Sequence, residues 1–169
     1  MSWTIREAAL DDAAAVIQFI KDMIAYHDMS QKYKGICLEE FIQDCFGTNP
    51  WVNCIVAGIK EDKSDNEEKK LIGFCTYYYT FNSKLGRGIY MNDLFVIPSE
   101  RGKGIGLCLM KSVIKISVRK GCSYMNWDIT DANKSAINFY ERLGAKIDGK
   151  TSFMSLCGDA LYKLIDDNN

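Results

Sequence analysis

The stretch VIPSERGKGIG, residues 96–106, places three glycines at alternating positions behind an arginine and directly after an apolar run. Glycine has no Cβ, so an anion can come close to the backbone N–H groups, and the first turn of a helix offers such groups together with about half a positive charge. Arg101 and Lys103 add two cations. We predict that this loop binds a diphosphate at the start of a helix. A tight turn before a helix, with no ligand, is the alternative.

Two other glycine-rich phosphate-binding motifs do not fit this loop. A P-loop requires Ser or Thr after its lysine, but Gly104 follows Lys103. The dinucleotide fingerprint requires a third glycine where Leu107 stands. The pattern R-x-x-G-x-G, residues 101–106, is the one that remains.

Composition favours one ordinary globular domain, which we expect to span residues 1–169. Hydrophobic residues make up 47% and charged residues 25% of the chain. The formal net charge of −1 gives no electrostatic reason to expect nucleic acid or an anionic membrane as a partner. No run approaches the ~20 apolar residues that a membrane span needs. The polar start, MSWTIREAALDD, does not resemble a signal peptide.

The cysteines and the histidine predict neither disulfides nor a metal site. Seven cysteines are present, an odd number, and no pair has C-x-x-C spacing. His27 is the only histidine. We therefore expect no metal and reduced, mostly buried thiols in a cytoplasmic protein.

Hydrophobic periodicity predicts a mixed α/β domain. Strands are predicted at 3–8, 53–59, 71–81, 88–97 and 123–130, and one or two short strands before about residue 164. Helices are predicted at 10–28, with Asp11 as cap, at 38–46, at 104–119 and at 134–143. Glycines follow the last three helices. The charged segment 60–70 is predicted to be a solvated connection.

A second motif gives the glycine loop its context. Asn133 and the sequence INFYERLGA, residues 137–145, follow about one helix later. Together the two motifs resemble the acetyl-CoA-binding signature of the GCN5-related N-acetyltransferase (GNAT) superfamily. Further segments, among them FGTNPW and LIGFCTYYYTF, resemble its diamine (spermidine/spermine) and thialysine acetyltransferase branch. The resemblance implies a mixed, mostly antiparallel sheet with a splayed central strand, helices on both faces, and a homodimer.

The resemblance also assigns acetyl-CoA as co-substrate and a set of residues that contact it. The pantetheine arm would pair with the main chain of Leu94, Phe95 and Val96. The diphosphate would lie on Arg101, Gly102, Lys103, Gly104, Ile105 and Gly106, and Asn133 and Ala136 would also contact the cofactor. Tyr140 would protonate the departing thiolate, a task for which a phenol suffices because a thiol has a pKa of about 8.5.

The residues implied for the acceptor amine differ from the diamine branch. Matching positions are Tyr26, His27, Asn92, Asp93, Asn126, Trp127 and Asp128. Asn92 replaces a glutamate of that branch, and His27 and Asn82 replace acidic residues, so a polyamine would meet fewer carboxylates. The amine must lose a proton before it attacks, and the base is either His27 or Asp93 or Asp128 acting through water.

The sequence leaves three functions open. The first is acetyl transfer to a primary amine of a small molecule, either a diamine or polyamine or a thialysine-like amino acid. The second is acetylation of a protein lysine or N-terminus. The third is an acyl-CoA-binding module without turnover.

Overall fold

The computed structural model describes residues 3–26, 35–59, 70–149 and 154. They fall into two compact units, the first ending at Asp128 and the second beginning at Ile129. The first unit contains β1 (Trp3–Glu7), α1 (Ala13–Tyr26), α2 (Leu38–Phe46), β2 (Asn53–Ile59), β3 (Lys70–Asn82), β4 (Gly86–Val96), α3 (Ile105–Arg119) and β5 (Tyr124–Asn126); the second contains α4 (Lys134–Arg142). Short 3-10 turns at Leu10–Asp12 and Pro98–Glu100 precede α1 and α3.

The predicted mixed, mostly antiparallel sheet is confirmed. Its order is β1-β2-β3-β4-β5, and every pair is antiparallel except β4 and β5, which are parallel. The parallel pairing is short, because residues 88–90 of β4 pair with residues 124–126 of β5. From Met91 onward, β4 pairs with β3 alone among the described residues. The strand therefore separates from β5 after Tyr90.

An extra residue interrupts the pairing of β4 with β3. Thr76 lies opposite Asp93, whereas Tyr77 lies opposite Met91, so Asn92 is left over in the register. Side chains of a strand alternate between its faces, and a bulge of this kind resets the alternation. Asp93 and the residues after it therefore project from the face opposite to the one that unbroken alternation would give them.

One face of the sheet is covered by α1 and α2. Ile17 of α1 and Phe41 of α2 are buried with Phe74 of β3 and Phe95 of β4 in one hydrophobic cluster. Phe19 stacks on Phe74 with 6.1 Å between ring centroids. This apolar layer fixes the end of β4 that leads into the glycine loop.

The opposite face is covered by α3. Ile105, Leu109 and Val113 of this helix are buried. A Cβ at Gly73 would lie 2.6 Å from the carbonyl oxygen of Phe95 and 3.4 Å from Leu109 Cδ1. The helix and the sheet are thus in close contact at a position where only glycine fits, and the prediction of helices on both faces is confirmed.

The predicted cap at Asp11 is wrong: the N-cap of the 3-10 turn before α1 is Ala9, and Asp12, the residue after Asp11, is the one whose side chain bonds to it. Asp11 is exposed, whereas Asp12 is buried. The Asp12 carboxylate accepts a hydrogen bond from the N–H of Ala9 at 2.7 Å and two from Arg6, at 2.5 and 2.8 Å. The 3-10 turn at Leu10–Asp12 explains the shift, because it directs the second of the two aspartates towards β1.

The strand predicted at 123–130 is also too long. β5 ends at Asn126, because β4 offers it only residues 88–90 as a partner. The strands predicted before residue 164 and most of the charged segment 60–70 lie outside the described residues.

The cysteines are less buried than the sequence predicts. The six described cysteines are free thiols, but only Cys54 and Cys75 are buried, and Cys37 is exposed. Burial raises the pKa of the Cys54 and Cys75 thiols. Within the described ranges no helix is long and apolar enough to cross a membrane.

Candidate active site

The glycine loop adopts a conformation that favours glycine at two positions. Gly102 has a φ of 77° and Gly104 a φ of 82°, and Gly104 is the N-cap of α3. L-residues with side chains rarely adopt such angles. A Cβ built on either glycine would meet no atom of the described residues within 4 Å. Backbone conformation, and not packing against the described residues, therefore constrains these positions, and this part of the chain leaves space for a ligand beside them.

The first turn of α3 has backbone donors that the helix does not use. The first backbone hydrogen bond of the helix runs from Cys108 N to Gly104 O, at 3.1 Å. The N–H groups of Ile105, Gly106 and Leu107 precede it, and in an α-helix such groups have no intrahelical partner. They lie at the positive end of the helix dipole. The loop can therefore hold an anionic group such as a diphosphate.

The two basic side chains of the loop both contact protein groups. Arg101 Nε donates a hydrogen bond to the Val96 carbonyl oxygen at 3.0 Å, and its guanidinium lies 4.9 Å from the ring centroid of Tyr26. Lys103 Nζ pairs with Glu100 Oε1 at 2.9 Å. Arg101 thus joins the loop to the end of β4 and to the end of α1. A diphosphate contact by either cation stays a prediction.

Residues 94–96 lie in the part of β4 that no longer pairs with β5. Phe95 is buried, whereas Leu94 and Val96 are half-buried. Their main chain pairs with residues 73–75 of β3 on one side. On the other side, the register with β5 stops at Tyr90. An extended ligand could pair with this side of the strand in the manner of an added strand.

Asp93 is a partly buried carboxyl group with two hydrogen-bond donors. The Thr76 hydroxyl and the Asn92 amide both donate to Asp93 Oδ2, the latter at 2.8 Å. Burial raises the pKa of Asp93 above the ordinary aspartate value, and these two hydrogen bonds oppose the rise. A carboxylate with a raised pKa is a stronger base than an ordinary one. Asn92 cannot accept the amine proton, but it positions Asp93.

Asp128 lies beside two tyrosines of the same sheet. The rings of Tyr78 and Tyr90, which face each other across β3 and β4, are stacked with 5.1 Å between centroids. Burial raises the pKa of Tyr90, and the nearby Asp128 carboxylate raises it further. Asn126 and Asp128 are exposed, and Trp127 is half-buried. Asp128 was predicted from the sequence, whereas the two tyrosines were not.

Three further positions that the resemblance places on the acceptor side are Tyr26, His27 and Asn82. Tyr26, at the end of α1, is 66% exposed and carries Arg101 over its ring. His27 lies outside the described residues. Asn82 has a turn role: its Oδ1 accepts hydrogen bonds from the N–H groups of Lys84 and Leu85, at 2.8 and 3.2 Å. A side chain with this local function explains an amide at that position.

The second unit carries the remaining predicted residues. Asn133 is the N-cap of α4, and its Oδ1 accepts a hydrogen bond from Ala136 N at 3.2 Å. Tyr140 is half-buried and its ring packs edge-on against Phe139, with 5.0 Å between centroids. Asn133 and Tyr140 are seven positions apart, about two helical turns, so they lie on the same side of the helix.

Known proteins match most of the chain. The model of the Acetyltransferase (GNAT) family matches residues 24–145. Thialysine N-epsilon-acetyltransferase of Mus musculus is 34% identical over 145 residues, which cover 86% of this chain and 85% of that protein. Spermidine/spermine N(1)-acetyltransferase-like protein 1 of Homo sapiens is 29% identical over 141 residues, covering 83% of this chain and 20% of that protein. Among solved structures, an integron cassette protein from the mobile metagenome of V. cholerae aligns with a TM-score of 0.74 and 29% identity over 98% of this chain and 99% of that one.

The fold and these matches define an acyltransferase. The chain belongs to the Acetyltransferase (GNAT) family. The resemblance to the thialysine and spermidine/spermine branch is thereby confirmed. In the part of the chain that the structure describes, no group of three or more His, Cys, Asp or Glu side chains could hold a metal ion.

Proposed function

We propose that this chain transfers an acetyl group from acetyl-CoA to a primary amine of a small molecule, either a thialysine-like amino acid or a diamine. One observation carries the proposal: Gly102 and Gly104 have positive φ, and no atom of the described residues fills the space beside them, directly before the first-turn N–H groups of α3. These groups suit the diphosphate of coenzyme A. The GNAT family to which the chain belongs uses acetyl-CoA.

In the proposed complex, the loop and β4 bind different parts of the co-substrate. The N–H groups of residues 104–107 bind the diphosphate. The main chain of Leu94, Phe95 and Val96 pairs with the pantetheine arm, on the side of β4 that β5 leaves. Arg101 then releases or shares the Val96 carbonyl, to which it now donates a hydrogen bond. Asn133 and Ala136 contribute the further contacts implied by the resemblance.

The reaction is a direct attack of the neutral amine on the thioester carbonyl. The new C–N bond forms as the C–S bond breaks, the amine loses a proton to a base, and the leaving thiolate gains one. An alkylamine with a pKa of about 10.4 is protonated at pH 7, so removing its proton costs roughly 4–5 kcal/mol. The base therefore matters more than the acid. We assign the acid to Tyr140, because a phenol with an ordinary pKa of about 10 can supply that proton.

Asp93 is our candidate for the base. It is partly buried, it is hydrogen-bonded to Thr76 and Asn92, and its pKa is raised towards the working range of a base. His27 remains the second candidate, on its residue type alone. The pH profile of kcat/KM separates them, because the variant that lacks the base loses the acidic limb.

The acceptor proposal rests on the relatives and on the carboxylates of this chain. The mouse relative is named for thialysine and the human one for spermidine and spermine. Asn92 and Asn82 stand where the diamine branch has acidic residues, whereas Asp93 and Asp128 are present. Fewer carboxylates suit an acceptor with fewer charges than spermine.

Two experiments test the function. Calorimetric titration with acetyl-CoA should show binding, and absence of heat would remove the proposal. Release of free thiol should then be measured with lysine, thialysine, putrescine and spermidine. Turnover with any of these amines supports an enzyme, whereas binding without turnover would indicate an acyl-CoA-binding module.

We also propose a cytoplasmic homodimer that binds neither nucleic acid nor membranes. The resemblance supports the dimer, and the formal net charge of −1 supports the absence of anionic partners. Light scattering after size exclusion tests the dimer directly.

A further inference from the structure

Thr76 holds the carboxyl group of Asp93 from the neighbouring strand. Its hydroxyl donates a hydrogen bond to Asp93 Oδ2, and the two residues lie directly opposite each other in the pairing of β3 with β4. Thr76 is 2% exposed and lies inside the sheet, because its partner on the other side is Cys54 of β2. A β-branched side chain has few allowed rotamers. The donor is therefore fixed in place before any ligand binds.

The two oxygens of the Asp93 carboxyl group have different partners. The Asn92 amide also donates to Oδ2, at 2.8 Å, but Asn92 is exposed and is the extra residue of the bulge. Oδ1 has no hydrogen-bond donor among the described residues. These residues bury Asp93 only partly, so a ligand can approach its carboxyl group. Oδ1 is then the oxygen that keeps its full capacity to accept hydrogen bonds.

A role in stability alone does not explain this pair. A buried hydroxyl needs an acceptor, and Asp93 satisfies that of Thr76. Burial of a carboxyl group, however, disfavours its charged form, a cost that an apolar pair would avoid. The next pair on the same face, Phe74 and Phe95, is such an apolar pair and is buried. A threonine and an aspartate beside it point to a function of the carboxylate.

We propose that Thr76 is a positioning residue for the transfer reaction: its hydroxyl fixes Asp93 Oδ2, so that Oδ1 takes the proton of the acceptor ammonium. This inference rests on the proposed function, with Asp93 as the base. The N–H bond of the ammonium breaks, its electron pair stays on nitrogen, and the proton binds to Oδ1. The neutral amine attacks the thioester, and Asp93 later passes the proton to solvent.

The hydrogen bond from Thr76 also affects how strongly Asp93 binds that proton. Burial raises the pKa of Asp93, and the bond from Thr76 opposes the rise more than the bond from Asn92 does. A hydrogen bond to the charged form favours that form. Loss of the Thr76 hydroxyl should therefore raise the pKa of Asp93 further.

The other titratable groups around Asp93 do not obscure this effect. Three thiols pack in the surrounding layers, and burial raises their pKa values, so they stay neutral near pH 7: Cys45 of α2, Cys54 of β2 and Cys75 of β3. The side chains that α1 adds to this layer are apolar. Arg101, whose guanidinium lies 5.8 Å from the ring centroid of Phe95, keeps its charge throughout.

Thr76→Val tests the inference, because it removes the hydroxyl and keeps the shape of the side chain. With the best amine of the acceptor screen, the acidic limb of the kcat/KM profile should move up by about one pH unit, as for a lost hydrogen bond to a charged group. Above this limb kcat should fall about tenfold, because Oδ1 is no longer directed at the amine. The Kd for acetyl-CoA should stay unchanged. Thr76→Ser, which restores the hydroxyl, should return both values close to those of the wild type.

Two further variants separate positioning from structural damage. Thr80→Val is the matched control on β3, because the Thr80 hydroxyl is bonded to the Tyr124 phenol at 2.9 Å and not to a carboxylate. It should leave the acidic limb and kcat at wild-type values. In an Asp93→Asn background, Thr76→Val should cause no further loss, because no carboxylate remains to be positioned. Structural damage would instead lower activity by the same factor in both backgrounds.

The outcomes distinguish this inference from the proposed function. An unshifted acidic limb in Thr76→Val, or an equal loss in both backgrounds, would overturn it while acetyl transfer stands. Full activity of Asp93→Asn would also overturn it, because another group would then be the base. If no amine supports turnover, the proposed function fails, and carbon-13 NMR of the Asp93 carboxyl carbon tests the pair alone. A titration midpoint about one pH unit higher in Thr76→Val supports control of Asp93 by Thr76, and an unchanged midpoint rejects it.

Discussion

A substitution of Gly106 can show whether the loop needs glycine for ligand binding or for the stability of the fold. It is the second residue of α3, and its φ is not in the positive range, unlike that of Gly104. A Cβ at Gly106 would lie 3.8 Å from Val96 Cγ2, an ordinary contact. Alanine is a better helix former than glycine by up to about 1 kcal/mol. Gly106→Ala should therefore leave the free energy of unfolding unchanged or raise it by up to about 1 kcal/mol.

The same methyl group should weaken binding of coenzyme A. In the proposed complex it stands where the diphosphate approaches the N–H groups of the first turn. Loss of one hydrogen bond to a charged oxygen is worth about 1.5–3 kcal/mol. Since 1.4 kcal/mol corresponds to a factor of ten, the Kd for acetyl-CoA should rise about 10- to 100-fold. Stability and affinity thus change in opposite directions.

Gly104→Val is the matched variant. A β-branched residue at a φ of 82° is strained, by about 1–2 kcal/mol or more, so this variant should lose stability and also lose coenzyme A binding. The assays are urea unfolding without ligand and calorimetric titration on the same preparations. If Gly106→Ala binds acetyl-CoA with wild-type Kd, the diphosphate does not lie on the first turn of α3, and our reasoning about the loop is refuted.

The remaining predictions concern the proposed acid Tyr140, the partly buried carboxyl group of Asp93 and the ion pair of Asp12 with Arg6. Tyr140→Phe should lower kcat at least about tenfold with an unchanged Kd for coenzyme A, as expected for a general acid; equal turnover would remove that role. Since the pKa of Asp93 is raised, the native state binds more protons than the unfolded state above about pH 4. The free energy of unfolding of the wild type should therefore fall relative to that of Asp93→Asn as the pH rises through the raised pKa. A difference between these two free energies that stays constant from about pH 4 to 8 would contradict this. Asp12→Asn should lower the free energy of unfolding by about 1–3 kcal/mol, because it weakens the pairing with Arg6, whereas Asp11→Asn should stay within about 0.5 kcal/mol; equal urea midpoints would show the pairing to be unimportant.

Helix boundaries could be predicted because glycine marks them physically. Gly104 before α3, Gly121 after it and Gly144 after α4 all have positive φ, which other residues avoid. The bulge in β4 could not be predicted. Asn92 and Asp93 are both polar, so either can face solvent, and the sequence does not show which one is skipped. The length of β5 depends on the edge that β4 offers and not on the residues of β5.

The part of the site that lies in one continuous segment could be predicted from the sequence. The part that is formed by residues on neighbouring strands could not. The loop at 101–106 is one continuous segment, and its residue types indicate its chemistry. Thr76, Tyr78 and Tyr90 resemble ordinary strand residues, and their relation to Asp93 and Asp128 depends on the register. The alternation in TYYYTF was the one available signal, since it places Thr76 and Tyr78 on a common face.

Because of the bulge, deletion of a single residue could change how far β4 diverges from β5 without changing the fold of the sheet. Asp93 already faces the same side as Thr76, and Met91 the same side as Tyr77, so an in-frame deletion of Asn92 would turn no other side chain around. The shortened strand would lose the added twist that a bulge gives and, with it, a reason to diverge from β5. We expect such a deletion mutant to fold and to have a narrower gap between β4 and β5. A deletion elsewhere in β4 would instead exchange the apolar and polar faces of the strand.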